Sequence, residues 1–387
     1  MSKKADPKHF LCPYADLCGG CQMQGLTYAE QLKKKEQIVG KCLSSYGRIS
    51  PILGMKDPYY YRNKVHAAFG LDRKNQVVCG IYEPNSHHIV PTRGCYLENQ
   101  KAGEIVQTIY SLLKSFKIKV YDEDTGYGLL RHVLIRTGYQ SGEIMVVLVL
   151  TSPILPGKNN FVQALRRVHP EISTVILNVN DKKTSMILGD KQTVIYGKGS
   201  IEDVLCGKHF IISPKAFYQV NPVQTEVLYQ TAIDAAGLTG TETVIDAYCG
   251  IGTIGIVASD RCRQVIGVEL NPDAVRDAKK NVQINHADNV SIYCNDAGRF
   301  MVDLAQKGER ADVVFLDPPR SGSDEAFLKS LLTLAPKKVV YISCNPHTQA
   351  RDLKTLTKGG YKVQMIQPVD MFPGSEHVET ACLLSRQ

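Results

Sequence analysis

The stretch TVIDAYCGIGTIGIV, residues 243–257, constrains the fold more than any other part of the chain. A short β-branched run ends at Asp246, and Gly250, Gly252 and Gly255 follow before an apolar run. This order predicts a buried strand, a tight glycine loop and a helix. Such a loop is where a parallel α/β sheet holds a cofactor that contains a nucleoside.

Three acidic residues after this loop indicate which cofactor it holds. Glu269 lies at the end of VIGVEL, Asp296 follows SIYCN, and Asp317 follows VVFL and precedes two prolines. An acid at the end of the second strand accepts hydrogen bonds from ribose hydroxyls, and we expect Asp296 to contact an adenine edge. A dinucleotide dehydrogenase leaves the Asp-Pro-Pro-Arg corner unexplained. We therefore predict a Rossmann-like α/β domain that binds S-adenosyl-L-methionine (SAM) as a methyl donor.

Composition sets limits on the rest of the molecule. The chain has 387 residues, which is long for one core, and a net charge of +8, which suits a polyanionic partner. No apolar run is long enough to cross a membrane and no secretory signal is recognisable, so we expect a cytoplasmic protein without membrane contact. The 12 cysteines are not expected to form a disulfide framework in that compartment.

Cysteines cluster near the amino terminus in CPYADLCGGC, where two glycines allow the thiolates to converge. Cys95, in a polar turn, is a better fourth ligand than Cys42 or Cys79. The candidate metal ligands are therefore Cys12, Cys18, Cys21 and Cys95. Four thiolates suit either an iron–sulfur cluster or zinc, and the spacing favours a cluster. The structural alternative is a set of free, buried cysteines.

Three regions are expected along the chain. Residues 1–50, with the Cys95 loop, form the cysteine region and include a helix from Gly25 to Ser45. Residues 51–207 form a β-rich RNA-binding domain of short strands, interrupted by one helix near residues 160–168. Residues 208–387 form the methyltransferase domain. Two features of the central region are able to contact RNA: the segment DPYYYRNKVHAAFG and the turn histidines His87 and His88. The alternative for the segment is ordinary core and surface packing. For the histidines, the commoner case is a solvated turn.

Two reactive side chains follow the fourth predicted strand. The buried run KVVYISCN is a fifth predicted strand that ends in Ser343, Cys344 and Asn345, so Cys344 is expected at the cofactor edge of the sheet. Glu379 interrupts the apolar run HVETACLL. The structural alternative for Cys344 is a small buried residue at a strand end. For Glu379 it is an exposed carboxylate at a sheet edge.

The assembled motifs resemble the bacterial RNA uracil-5-methyltransferases, and most closely the iron–sulfur group that acts on 23S ribosomal RNA. The resemblance spans CPYADLCGGCQMQ with Cys95, LRHVLIR, FYQVN, DAYCGIGT, GVELN, FLDPPRSG, YISCNP and HVETACLL. It implies a [4Fe-4S] cluster on those cysteines, a 23S rRNA substrate and a monomer. Because the chain starts almost at Cys12, we expect the short form, without an additional β-barrel (TRAM) domain.

The resemblance also implies residue roles, with Cys344 as the nucleophile and Glu379 as the base. Six further residues resemble the cofactor-binding residues of the family: Gln219, Tyr248, Thr253, Glu269, Asp296 and Asp317. The chemistry agrees, because carbon 5 of uracil becomes nucleophilic only after a thiolate adds to carbon 6, and a base must then remove the carbon 5 proton. Uracil methylation of tRNA and cytosine-5 methylation of RNA remain alternatives, although cytosine enzymes typically carry a second cysteine where Asp317 stands.

Overall fold

The computed structural model describes residues 11–184 and 186–386. These residues form two compact units. The first contains the described chain up to Leu26, together with Pro58–Val204 and Ile212–Lys215. The second contains Thr27–Asp57, Leu205–Ile211 and the described chain from Ala216 onward.

Helices and strands alternate through most of the described chain. The helices are α1 (Ala15–Cys18), α2 (Tyr28–Leu43), α3 (Gln100–Ser115), α4 (Lys158–Val168), α5 (Pro222–Ala236), α6 (Thr253–Ala258), α7 (Pro272–Ile284), α8 (Ala297–Gln306), α9 (Glu325–Leu334) and α10 (Pro346–Lys358). The strands are β1 (Lys64–Leu71), β2 (Val77–Tyr82), β3 (Ile89–Val90), β4 (Leu130–Thr137), β5 (Ile144–Leu150), β6 (Ile172–Val179), β7 (Lys191–Tyr196), β8 (Ile201–Leu205), β9 (Lys208–Ile212), β10 (Thr243–Ala247), β11 (Gln264–Glu269), β12 (Val290–Cys294), β13 (Val313–Leu316), β14 (Lys338–Ser343), β15 (Tyr361–Val369) and β16 (Glu379–Arg386). No helix of the described chain is both long and apolar enough to span a membrane.

The first unit is built on a seven-stranded sheet in the order β3-β2-β1-β4-β5-β6-β7. Its strands pair antiparallel except for β5 and β6, which are parallel and joined through α4. Helices α3 and α4 contribute Ile105, Ile109 and Phe161 to an apolar core with one face of the sheet. This arrangement confirms a β-rich central region and the helix expected near residues 160–168.

Helix α3 corrects the expectation of a single helix in this region. Its buried residues Ala102, Ile105, Ile109 and Leu113 recur at helical spacing and pack on the sheet. The Asn99 side chain accepts a hydrogen bond from the Ala102 amide at 3.1 Å and caps its amino end. Both signals are present in the sequence, and the density of strand-like runs around them masked the helix.

The second unit contains the predicted parallel sheet, in the order β12-β11-β10-β13-β14-β16-β15. Strands β10 to β14 pair in parallel, whereas β16 runs antiparallel to β14 and β15. The central parallel strands β10, β13 and β14 are buried on both faces, as helix-covered sheets require, so they appear in the sequence as largely apolar runs. The predicted fold class is confirmed.

Helix α2 lies in the second unit, which differs from the expected boundary at residue 50. Its amino end carries the capping box between Thr27 and Glu30. Its Lys35 ammonium is fully buried, 2.5 Å from an Asp370 carboxylate oxygen and 2.9 Å from the Phe372 carbonyl oxygen. Since an unpaired buried charge is costly, this ion pair ties the helix to the segment that follows β15.

Candidate active site

Parallel strands bring the predicted site residues to one edge of the second unit's sheet. Glu269 is the last residue of β11, and Asp296 follows β12 by two positions. Asp317 directly follows β13, and Cys344 directly follows β14. The carboxyl ends of parallel strands face the same way, so these side chains lie along a single edge, where ligands of open α/β sheets bind.

The glycine loop after β10 is held by a buried carboxylate. The Gly255 amide donates to Asp246 Oδ2 at 2.7 Å, and Asp246 is almost fully buried. A Cβ atom at Gly255 would lie 2.9 Å from Val265 Cγ1 and 3.0 Å from Asp246 Oδ2, so only glycine fits there without a shift. Burial raises the pKa of Asp246 to about 7. Asp246 therefore has a structural role, bracing the loop.

Glu269 is oriented by two backbone amides. Its Oε2 atom accepts from the Gly250 amide at 3.0 Å, and its Oε1 atom accepts from the Asn271 amide at 2.8 Å. These bonds fix the carboxylate beside the glycine loop, and each carboxylate oxygen keeps a lone pair for a further donor. Asp296 is exposed and caps α8 by accepting from the Arg299 amide at 2.9 Å.

A cavity of about 50 Å³ lies between the glycine loop and Asp317. Gln219, Tyr248 and Thr253 line it, whereas Glu269 and Asp296 do not. The structure thus brings four of the six predicted cofactor residues to one cavity, and Glu269 reaches its wall through Gly250.

Sequence reasoning missed two aromatic residues of this cavity. Tyr229, on α5, is buried with its hydroxyl 3.1 Å from Thr253 Oγ1. Phe217 lines the same cavity and is 66% exposed, which is unusual for a large apolar ring. Phe217 belongs to the FYQVN motif, whereas nothing local in the sequence distinguishes Tyr229 from other apolar positions of α5.

Cys344 and Glu379 are brought together by the antiparallel pairing of β14 and β16. Ser343 pairs with Thr380, so the next residues outward, Cys344 and Glu379, lie opposite each other. Glu379 is buried, and its Oε2 atom has no hydrogen-bond partner in the described chain. A buried carboxyl oxygen without a partner is uncommon in native proteins, and a catalytic role is one explanation for it.

Electrostatic coupling links these two residues to Asp317. Burial raises the pKa of Cys344 to about 11, with Glu379 and Asp317 adding to the rise and Arg320 opposing it. Burial and the charge of Asp317 raise the pKa of Glu379 well above its usual range, and burial raises the pKa of Asp317 to about 7. Because like charges disfavour ionisation, a cation bound at this edge would favour the ionised forms.

Gln349, in the first turn of α10, joins the two strands that carry the thiol and the carboxyl. Its fully buried amide nitrogen donates to the Tyr341 carbonyl at 3.1 Å and to the Thr380 carbonyl at 3.3 Å. Its amide oxygen accepts from the Thr380 hydroxyl. These contacts fix the strand ends that present Cys344 and Glu379, and the sequence alone gave no signal of this role.

The four candidate ligand cysteines belong to the first unit and are each half-buried. Burial raises the pKa of Cys21 to about 12, and repulsion from Cys95, Cys12 and Cys18 adds to the rise. The segment around Tyr14 is tied to the Cys95 loop, because the Tyr14 hydroxyl donates to the Arg93 carbonyl at 3.2 Å and accepts from the Arg93 amide at 3.0 Å.

These thiols are neighbours without forming a complete metal site. In residues 11–184 and 186–386, no three His, Cys, Asp or Glu side chains are arranged to hold a metal ion. Their donor type fits a thiolate-ligated metal, since a bound cation would replace the mutual repulsion with attraction.

Comparison with known proteins agrees with this geometry. Residues 27–387 match the family described as tRNA (uracil-5-)-methyltransferase. An uncharacterized RNA methyltransferase of Halalkalibacterium halodurans is 42% identical over 378 residues, covering 96% of this chain and 82% of its own. A similarly named protein of Caldanaerobacter subterraneus is 43% identical, covering 97% of this chain and 84% of its own.

A solved structure is also similar over most of the chain. It is that of the Pyrococcus abyssi tRNA (uracil-54, C5)-methyltransferase in complex with S-adenosyl-L-homocysteine. The TM-score is 0.80 at 27% sequence identity, covering 95% of this chain and 86% of the other.

Proposed function

Because the chain belongs to the tRNA (uracil-5-)-methyltransferase family, we propose that it methylates carbon 5 of a specific uridine in 23S rRNA through a covalent cysteine adduct. SAM-dependent RNA methylation is the activity of the family, and the rRNA target and the adduct are the proposed steps. The observation that carries the proposal is the opposition of Cys344 and Glu379 across β14 and β16, with Asp317 acting on both.

The proposed reaction assigns a separate task to each side chain. The Cys344 thiolate adds to carbon 6 of a flipped-out uracil, which makes carbon 5 nucleophilic. SAM supplies the methyl group that carbon 5 accepts. The Glu379 carboxylate then removes the carbon 5 proton, the bond between carbon 6 and sulfur breaks, and the thiolate leaves.

Asp317 and the remaining polar residues hold the reactants in this scheme. Asp317, at the rigid Asp-Pro-Pro corner, faces the uracil edge or the cofactor, and its charge acts on both reactive groups. Gln219, Tyr248 and Thr253 line the cofactor cavity. Glu269 binds the ribose and Asp296 the adenine edge, as their positions at neighbouring strand ends allow.

Uracil-5 methylation of tRNA is a second candidate, favoured by the family description and by the printed activity of the Pyrococcus abyssi enzyme. Cytosine-5 methylation is disfavoured because Asp317 occupies the place where a second cysteine is expected. Nucleoside analysis of rRNA and tRNA from a deletion strain separates these candidates. Loss of 5-methyluridine from 23S rRNA supports the proposal, and loss from tRNA or loss of 5-methylcytidine contradicts it.

We also propose that Cys12, Cys18, Cys21 and Cys95 hold a [4Fe-4S] cluster. The support is the mutual electrostatic effect of these thiols and the two hydrogen bonds between Tyr14 and Arg93. The expected role is structural, because the methylation scheme moves no net electrons. In this account the first unit binds RNA and the second carries out methyl transfer.

A further inference from the structure

The first unit contains a cavity of about 690 Å³, which we call the histidine cavity. It is lined by His66, Tyr82, His87, Arg131, His132 and Lys183. Its volume is in the range of small-ligand sites. Every lining residue belongs to the first unit, and none of the residues proposed for the methylation reaction lines the cavity.

Three aromatic side chains form an ordered wall in this cavity. The Tyr82 ring packs edge-on against His87 with centroids 6.3 Å apart, and against His132 with centroids 6.0 Å apart. Unpaired RNA bases are commonly recognised by stacking on such rings. The wall therefore offers flat surfaces suited to a planar heterocycle.

A buried nitrogen atom in the wall lacks a partner. His66 Nε2 is buried and makes no hydrogen bond in the described chain. Burial together with the charges of Lys64 and Arg136 lowers the pKa of His66 to about 3, and burial lowers the pKa of His132 to about 4. Both imidazoles are neutral at physiological pH, so they suit the neutral donors and acceptors of a base edge better than an anion.

The rim of the histidine cavity is held in place before any ligand arrives. Arg131 donates to the carbonyls of Asn180 at 3.0 Å and Lys182 at 2.8 Å, and to Glu123 Oε1 at 2.9 Å. Its guanidinium carbon also lies 4.6 Å from the centroid of the Tyr121 ring. Arg131 thus braces the rim through its two terminal nitrogens, and a preformed cavity loses little entropy on binding.

We propose that the histidine cavity binds one unpaired nucleobase of the substrate RNA, a different nucleotide from the methylated uridine. Tyr82 and the adjacent imidazoles stack on the base, and His66 Nε2 bonds to its edge. The exposed ammonium of Lys183 lies at the rim, where it suits a flanking phosphate. The proposal rests on RNA being the substrate, and it holds whether the methylated RNA is ribosomal or transfer RNA.

Ultraviolet cross-linking of the full-length protein to total RNA from a strain that lacks its gene tests the proposal. Peptide mass spectrometry should find nucleotide adducts on peptides that contain Tyr82, His87 or His132. An absence of adducts from all of these peptides, with adducts elsewhere in the chain, overturns the proposal.

Binding measurements on variants provide an independent readout. Tyr82→Ala should raise the Kd for the same RNA about tenfold, as loss of one stacked base predicts. Tyr127→Ala is the matched control, because Tyr127 lies in the first unit, is 81% exposed and does not line the cavity. Equal RNA affinity of the Tyr82 and Tyr127 variants overturns the proposal.

A separate pair of variants tests the proposed hydrogen bond between His66 Nε2 and the edge of the bound base. His66→Ala should weaken RNA binding, and His66→Gln should restore much of it because an amide offers the same donor and acceptor types. SAM affinity, measured on each variant, should be unchanged and reports that the second unit is folded. If the deletion strain loses no 5-methyluridine while cavity adducts persist, the proposed function fails and this inference stands.

Discussion

At the scale of single residues, Asp317 links the two groups proposed to do the chemistry. It follows β13 directly, and its charge contributes to the raised pKa values of both Cys344 and Glu379. Its own pKa is raised to about 7 by burial. The three groups therefore titrate as a set, and a change at one shifts the others.

Replacing Asp317 with Asn should lower the pKa of the Cys344 thiol below its value of about 11, because a negative charge that disfavours the thiolate is removed. The measurement is the pH dependence of Cys344 alkylation by iodoacetamide, followed by peptide mass spectrometry. Its midpoint should move to lower pH. Asp296→Asn is the matched control, since Asp296 is not among the groups that shift the thiol. An unchanged midpoint in Asp317→Asn would contradict the coupling.

Glu379→Gln should stop the reaction after methyl transfer, because an amide cannot take up the carbon 5 proton. Methylated RNA should then remain covalently bound to the protein. Denaturing gel electrophoresis with radiolabelled SAM should show label in a protein–RNA band of this variant. Normal turnover without an accumulating adduct would assign the base to another residue.

At the scale of elements, the junction of α10, β14 and β16 determines how the thiol and the carboxyl meet. Within the described chain, the Gln349 side chain hydrogen-bonds to both Tyr341 on β14 and Thr380 on β16. Removing it leaves buried carbonyl groups without that donor, which costs about 1–3 kcal/mol.

Gln349→Met should therefore lower the free energy of unfolding by about 1–3 kcal/mol and reduce kcat more than it changes the Kd for SAM. The control is Gln364→Met, because Gln364 is exposed on β15 and bonds only to Ser385 Oγ among the described contacts. Urea unfolding and steady-state kinetics measure both effects. A Gln349 variant that unfolds and turns over like the control would contradict the role.

The elements that sequence predicted best were those with uninterrupted local patterns. Strands β10, β11, β13 and β14 are largely apolar runs. Strand β11 ends at the candidate site residue Glu269, and the other three end one position before Tyr248, Asp317 and Cys344. Helix α3 was missed because strand-like segments surround it. Contacts over long separations left no local signal: Lys35 and Asp370 are 335 positions apart, and Gln349 acts on backbone carbonyls.

At the scale of the whole molecule, the chain separates RNA binding from methyl transfer in our account. The Cys95 loop and His66 both line a second cavity of the first unit, of about 290 Å³. His66 therefore lines both this cavity and the histidine cavity.

Cys95→Ser should prevent assembly of the proposed [4Fe-4S] cluster and weaken RNA binding while SAM affinity is retained. Iron and acid-labile sulfide analysis of anaerobically purified protein measures the first effect, and RNA titration measures the second. Cys79→Ser is the control, because Cys79 is a buried strand residue outside the proposed ligand set. Stoichiometric zinc without iron or sulfide in the unaltered protein would contradict the cluster.

The central claim is covalent attack by Cys344 on carbon 6 of a uridine. The most direct measurement is mass spectrometry of the protein after reaction with SAM and 23S rRNA that contains 5-fluorouridine, whose carbon 5 fluorine cannot leave as a proton. The account predicts a stable adduct on the Cys344 peptide and none in Cys344→Ala, which should still bind SAM. An adduct on a different residue, or turnover by Cys344→Ala, would contradict it.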